Sequence, residues 1–141
     1  MKQRRKMFFR LSLVFLVLLL GVLTGCGVKK DDPAKVRDLE FSVVPQEEIP
    51  QDLLEVIREK EKSDFKLTYT DDKNLYIVTG YGEQKGGGYS IAVVSLYLTE
   101  NSIVLDADLI GPEKGEDPGT QPSYPYIVIR TELSDLPVIF Q

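Results

Sequence analysis

Between Ser102 and Ile110 the apolar residues Ile103, Leu105, Ala107 and Leu109 recur at every second position, with Asp106 and Asp108 between them. A period of two puts the apolar side chains on one face of an extended chain and the acids on the other. A segment of this kind belongs in an antiparallel sheet with one face packed and one face in water. Thr99-Glu100-Asn101 precedes it and turns the chain back onto Tyr89 to Leu98 (YSIAVVSLYL), which is rich in β-formers. Leu75 to Tyr81 and Tyr126 to Leu133 have the same character, and Val138 to Phe140 can form a last short strand. Phe65 to Thr70 alternates with Phe65, Leu67 and Tyr69 on one side, and Asp71 to Asn74 forms the turn after it. Leu39 to Val44 reads as the first strand, with Leu39, Phe41 and Val43 sharing a face.

One stretch departs from this pattern. In EEIPQDLLEVIREKEK, Ile49, Leu53 and Ile57 recur at i, i+4 and i+8 with Leu54 beside them, which is the stripe of an amphipathic helix. Pro50 suits its first turn, Glu47, Glu48 and Asp52 suit its positive end, and Arg58, Lys60 and Lys62 suit its negative end. The expected fold is α+β: one amphipathic helix packed on a twisted antiparallel sheet or half-barrel of about six strands.

The N-terminus follows a different logic. Lys2, Arg4, Arg5, Lys6 and Arg10 come before an apolar run from Leu11 to Leu23. A basic start, a short apolar core and small residues at the junction define a secretory signal peptide. The alternative is an uncleaved membrane helix, but the run holds 13 residues, against about 20 for a bilayer crossing. Both readings put the remainder on the extracytoplasmic side, because the positive flank stays inside. The junction Leu23-Thr24-Gly25-Cys26 resembles the lipobox of bacterial lipoproteins. That resemblance implies a diacylglyceryl group on Cys26, which becomes the first residue after cleavage. Two acyl chains give stable attachment where one is marginal. The expected organisation is a signal peptide over 1–25, the lipidated cysteine and a flexible tether over 26–38, and a domain over 39–141. The expected location is the cell membrane, with the domain lipid-anchored outside it.

Loss of residues 1–25 removes five positive charges and leaves a formal net charge of −10. Such a surface repels nucleic acid and anionic headgroups, so nucleic acid is excluded as a partner. Cys26 is the only cysteine, so the domain has no disulfide and stands on its core. Histidine is absent. This removes Ser-His-Asp and Cys-His chemistry and the commonest zinc ligand. No enzyme activity, cofactor or metal is expected. Asp106, Asp108, Glu113, Glu116 and Asp117 do not have the spacing of a twelve-residue calcium loop and read as a solvated acidic face. Lys85 and Ser90 lack a helix to position them as a catalytic pair.

Two blocks carry a further resemblance. Gly87-Gly88-Tyr89-Ser90-Ile91-Ala92-Val93 follows a glycine-rich turn, and Tyr124-Pro125-Tyr126-Ile127-Val128-Ile129 follows a long glycine- and proline-rich loop from Gly111. Together they resemble the PrcB C-terminal domain family, over a span from about Phe41 to about Leu133. The family is named for a lipoprotein subunit of a bacterial surface protease complex. The resemblance implies a non-catalytic partner of a secreted or surface protease, acting in its assembly or stability.

The glycines Gly86 to Gly88 read first as a turn that needs positive φ or a bulge. They do not form a phosphate loop, since they lead into a strand and lack the Gly-Lys-Ser/Thr ending. The tyrosines read first as core and sheet packing, with an exposed patch at Tyr81, Tyr89 and Tyr124 as the functional alternative. Gly87, Gly88, Tyr89, Tyr124 and Tyr126 are the expected partner-binding residues. The second functional reading is a protease inhibitor that inserts the glycine-tyrosine loop. That loop is distantly similar to one in chagasin-like inhibitors, without their Asn-Pro-Thr-Thr segment.

Overall fold

The computed structural model describes residues 34–141. The expected signal peptide, Cys26 and most of the expected tether lie outside them. In chain order come β1 (Arg37–Asp38), β2 (Ser42–Val43), a 3-10 turn (Gln46–Glu48), α1 (Gln51–Lys60), β3 (Asp64–Thr70), β4 (Asn74–Tyr81), β5 (Ser90–Leu98), β6 (Ile103–Ile110), β7 (Tyr126–Glu132) and β8 (Val138–Phe140).

β4 and β7 explain the architecture. In β4, Leu75 and Ile77 point to one face while Tyr76 and Val78 point to the other, and all four are buried. β7 repeats this with Ile127 and Ile129 against Val128. A strand apolar on both faces must be covered on both. One face receives α1: Leu53, Leu54 and Ile57 pack with Ile49, Val44, Phe65, Tyr76, Val78 and Val128. The other receives a second sheet, where Leu39, Leu75, Ile77, Ile127 and Ile129 meet Leu96, Ile103 and Leu105. The result is three layers: helix, sheet β2-β7-β4-β3, and sheet β1-β5-β6-β8. The helix packs on a sheet as expected. The single sheet or half-barrel of about six strands is corrected to two sheets of four, because one ten-residue helix cannot cover both faces of β4 and β7.

Three details of the pairing depart from a regular antiparallel pattern. β6 keeps Ile103, Leu105 and Ala107 on the inward face, but Val104 is buried as well, so the expected solvated face begins only at Asp106. β5 changes phase: Ile91 and Val93 turn inward, and so do Leu96 and Leu98. The change of parity is absorbed by a bulge between Val93 and Ser95, which throws Val94 out to solvent at 57% exposure. β8 pairs with β6 in parallel, so the sheet is not purely antiparallel. The expected first strand is broken in two. β1 pairs with β5 in one sheet and β2 with β7 in the other. The chain crosses between the layers at Leu39 to Phe41, where the Thr131 hydroxyl donates to the Glu40 carbonyl at 2.7 Å. The crossing turns the faces over. Leu39 and Val44 are buried, while Phe41 and Val43 are exposed, against the expected shared face of Leu39, Phe41 and Val43. Arg37 and Asp38, assigned above to the tether, are already in β1.

Pro50 stands at the cap of α1 rather than inside its first turn, with its carbonyl accepting the Leu54 N–H at 2.9 Å. The turn at Asp71 is closed by its own side chain. Oδ1 accepts the N–H groups of Lys73 and Asn74 at 2.8 and 2.7 Å, and Oδ2 accepts the Tyr76 hydroxyl at 3.0 Å. These bonds favour the charged form, the Lys73 N–H foremost, and hold the carboxyl at about 2 instead of 3.8. A depressed folded-state value stabilises the fold above the unfolded value, and the gain is lost as pH falls through the folded one. Asp71→Asn is therefore expected to melt earlier than wild type at pH 7, with the gap closing between pH 4 and 2. Thermal melts of both proteins across that window check it, and a constant gap would show that the carboxylate charge plays no part.

Candidate interaction surface

The loops after β4 and before β7 meet at one end of the sheets. Gln84 and Ser123 exchange backbone bonds at 2.8 and 3.1 Å, the Ser123 hydroxyl donates to the Gly86 carbonyl at 2.6 Å, and the Gly87 N–H donates to the Pro118 carbonyl at 2.7 Å. The two segments singled out in the sequence thus form one connected surface.

Within it the five expected residues fall into two groups. Gly87, Gly88 and Tyr89 lie against the Pro112 to Pro118 loop. Gly86 has φ +84°, and a Cβ there would come within 2.7 Å of both the Cβ and the carbonyl oxygen of Pro118. Gly88 has φ +79°, and its Cβ would stand 2.9 Å from the Cβ of Pro112. Both positions need glycine to let two loops approach. Gly87 has no such requirement, since a Cβ there meets only the Pro118 carbonyl at 3.8 Å. Tyr89 is half-buried, with its ring over Gly111.

Tyr124 and Tyr126 form the second group, also half-buried. The Tyr124 hydroxyl donates to Glu83 Oε2 at 3.0 Å, and this bond to a carboxylate pushes its phenol pKa up. Tyr126 packs against the helix-side core. Burial raises its pKa first, the Glu61 carboxylate adds to this, and Arg58 opposes it. Both rings line a cleft of about 340 Å³ whose other walls include Val43, Val44, Gln46 and Ile49. Tyr81, a candidate for the same patch, is used otherwise: its hydroxyl donates to the Ala107 carbonyl at 2.6 Å and ties the two sheets together.

Sequence reasoning missed Val43, Gln46 and Glu83. Pro45 was the available signal for the first two, because a proline that ends a two-residue strand leaves the neighbouring strand uncovered. Nothing local points to Glu83, whose partner is 41 residues away. Among the described residues, no three or more acids, histidines or cysteines gather to hold a metal ion.

The joined loops lie beside the cleft that Tyr124 and Tyr126 line. Residues 75–132, from β4 through β7, match the family model described as PrcB C-terminal. That stretch contains both blocks on which the resemblance was read, while β1 to β3, α1 and β8 lie outside it. No curated protein and no solved structure matches the chain.

Proposed function

We propose that this chain is a lipid-anchored, extracytoplasmic interaction module that serves as a non-catalytic accessory subunit of a surface protease. The observation that carries this is the match of residues 75–132 to the PrcB C-terminal family. The lipobox-like junction at Cys26 and the acidic, tether-held body support the location. Inhibition by an inserted glycine-tyrosine loop receives less support, because Gly86 to Gly88 are held down by Pro112 and Pro118 rather than projecting.

The test is capture of the tagged full chain from cross-linked, detergent-solubilised membranes of its own host, with partners identified by mass spectrometry. Wild type is expected to bring down a protease and to carry a diacylglyceryl group on Cys26. Cys26→Ser is expected to leave the signal peptide attached. Tyr124→Ala removes a half-buried ring whose hydroxyl bonds exposed Glu83, so its melting should change little. Its capture should fall about 5- to 30-fold, the equivalent of about 1–2 kcal/mol. A wild-type capture without a protease would sink the accessory-subunit reading.

A further inference from the structure

The backbone of β7 beside the cleft is unpaired on one side. The Val44 N–H donates to the Val128 carbonyl at 2.9 Å, which is the last bond between β2 and β7. Pro45 then ends the strand and the chain turns into Gln46–Glu48. On the opposite edge of β7, the Tyr81 N–H donates to the Pro125 carbonyl and the Gln84 N–H to the Ser123 carbonyl, so residues 123 and 125 face β4. Backbone groups alternate in direction along a strand. Tyr126 therefore turns its N–H and C=O groups to the side that β2 has left, and no described residue pairs with them there; Tyr124, two residues before it and outside β7, lines the same cleft. That side opens into the cleft, whose volume of about 340 Å³ is within the range for ligand sites, about 300–1,000 Å³. Its apolar walls are Val43, Val44 and Ile49.

The rim has a sign. Glu47 and Glu48 stand exposed next to Gln46, Glu83 holds Tyr124, and the Glu61 carboxylate acts on both tyrosines. Arg58 and Lys62 are the opposing charges nearby, in a domain that carries a large acidic excess. An open strand edge beside a cleft with Val43, Val44 and Ile49 in its wall and acids on its rim suits an extended peptide whose short β-branched centre is flanked by cations.

We propose that the β7 edge at Tyr126, with Tyr124 just before it, receives a basic, extended segment of the partner as an added strand, in line with β2. This rests on the reading of the chain as an interaction module and specifies how it binds.

The test uses the full chain in detergent micelles, labelled with ¹⁵N-tyrosine, so that seven tyrosine amides are observed. The probe is the acetylated, amidated heptapeptide KKVTVKK. Its binding is expected to move the Tyr126 and Tyr124 amides in a saturable way and to slow exchange of the Tyr126 N–H. The acidic peptide EEVTVEE and a KKVTVKK with alternate backbone nitrogens methylated are expected not to bind. Glu47→Lys combined with Glu48→Lys should weaken KKVTVKK by about tenfold while the Tyr69 and Tyr76 amides stay in place, which shows the fold is kept. Equal binding of the methylated peptide, or an unmoved Tyr126 amide, overturns the proposal, as does displacement of that amide by a second copy of the chain alone. An unmoved Tyr126 amide with protease capture intact removes the strand mode and leaves the module reading. A bound peptide at Tyr126 with no protease captured does the reverse.

Discussion

Leu105→Asp is expected to leave no folded domain at 25 °C. Leu105 is 1% exposed, lies opposite Leu96 on the inward face of β6, and belongs to the cluster between the two sheets. Truncating a buried leucine to alanine already costs about 2–5 kcal/mol. Aspartate adds a carboxyl with no partner in an apolar layer, and either its charge or its protonation must be forced there. A domain of this size holds about 5–15 kcal/mol in total, so the two losses together reach the whole of it. Asp108→Asn is the matched control: it lies three positions along the same strand on the solvent side, and is expected to stay within about 0.5 kcal/mol of wild type. Far-UV circular dichroism and thermal melting separate the two. A cooperative melt of Leu105→Asp close to that of wild type would mean that β6 does not bury this face.

How much of this was legible depends on whether the signal is local. α1 was, because Ile49, Leu53 and Ile57 declare a helical period within nine residues. β6 was in part: Asp106 and Asp108 alternate with Leu105 and Ala107, but Val104, between Ile103 and Leu105, is buried on the face expected to be wet. The second sheet was legible only by asking what covers both faces of Leu75 to Val78 and Ile127 to Ile129, and a reading strand by strand passes over that question. The β5 bulge was also present in the chain, as a shift from Ile91 and Val93 to Leu96 and Leu98. β8 carries no comparable mark: three residues do not specify a neighbour, and its parallel pairing with β6 depends on where the preceding loop delivers it. The broken first strand failed for a related reason. Two-residue strands have too few positions for a period, so the crossing between layers at Glu40 overrode the alternation.

The candidate surface was legible in composition but not in arrangement. Glycine, proline and tyrosine marked both loops. What joins them is long-range: Gln84 with Ser123, Gly87 with Pro118, and Glu83 with Tyr124. None of these pairs is implied by its own neighbourhood. The joined loops also reassign the glycines. Gly86, which was not among the expected contact residues, has the strictest steric need of the three, while Gly87 has little. Side-chain replacement at Gly87 is therefore the informative change for binding, and replacement at Gly86 is informative for the loop.

The other large effect is expected at Gly80, and here the reason is a ring rather than a backbone angle. Gly80 lies in β4 directly opposite Phe65 of β3. A Cβ added at Gly80 would stand 2.6 Å from both Cδ1 and Cζ of the Phe65 ring, well inside van der Waals contact. Alanine in a strand interior ordinarily gains about 0.5–1 kcal/mol over glycine through the unfolded chain. At this site the ring must move instead, and it is enclosed in the cluster with Leu53, Leu54 and Ile57 beneath α1. Overpacking of this kind costs about 1–3 kcal/mol, and full loss of the ring's burial costs about 3–5 kcal/mol. Gly80→Ala is expected to lie between these, near 3 kcal/mol, and to lower Tm by at least about 10 °C. The double mutant isolates the cause. Phe65→Leu removes the ring edge that meets the new methyl, so adding Gly80→Ala in that background should cost almost nothing, a coupling of about 2–3 kcal/mol. If Gly80→Ala is equally harmful beside Leu at position 65, the penalty comes from the backbone of β4 and not from the stacked ring. If it is harmless in wild type, Phe65 does not lie over the strand, and the contact between β3 and the helix layer must be made some other way.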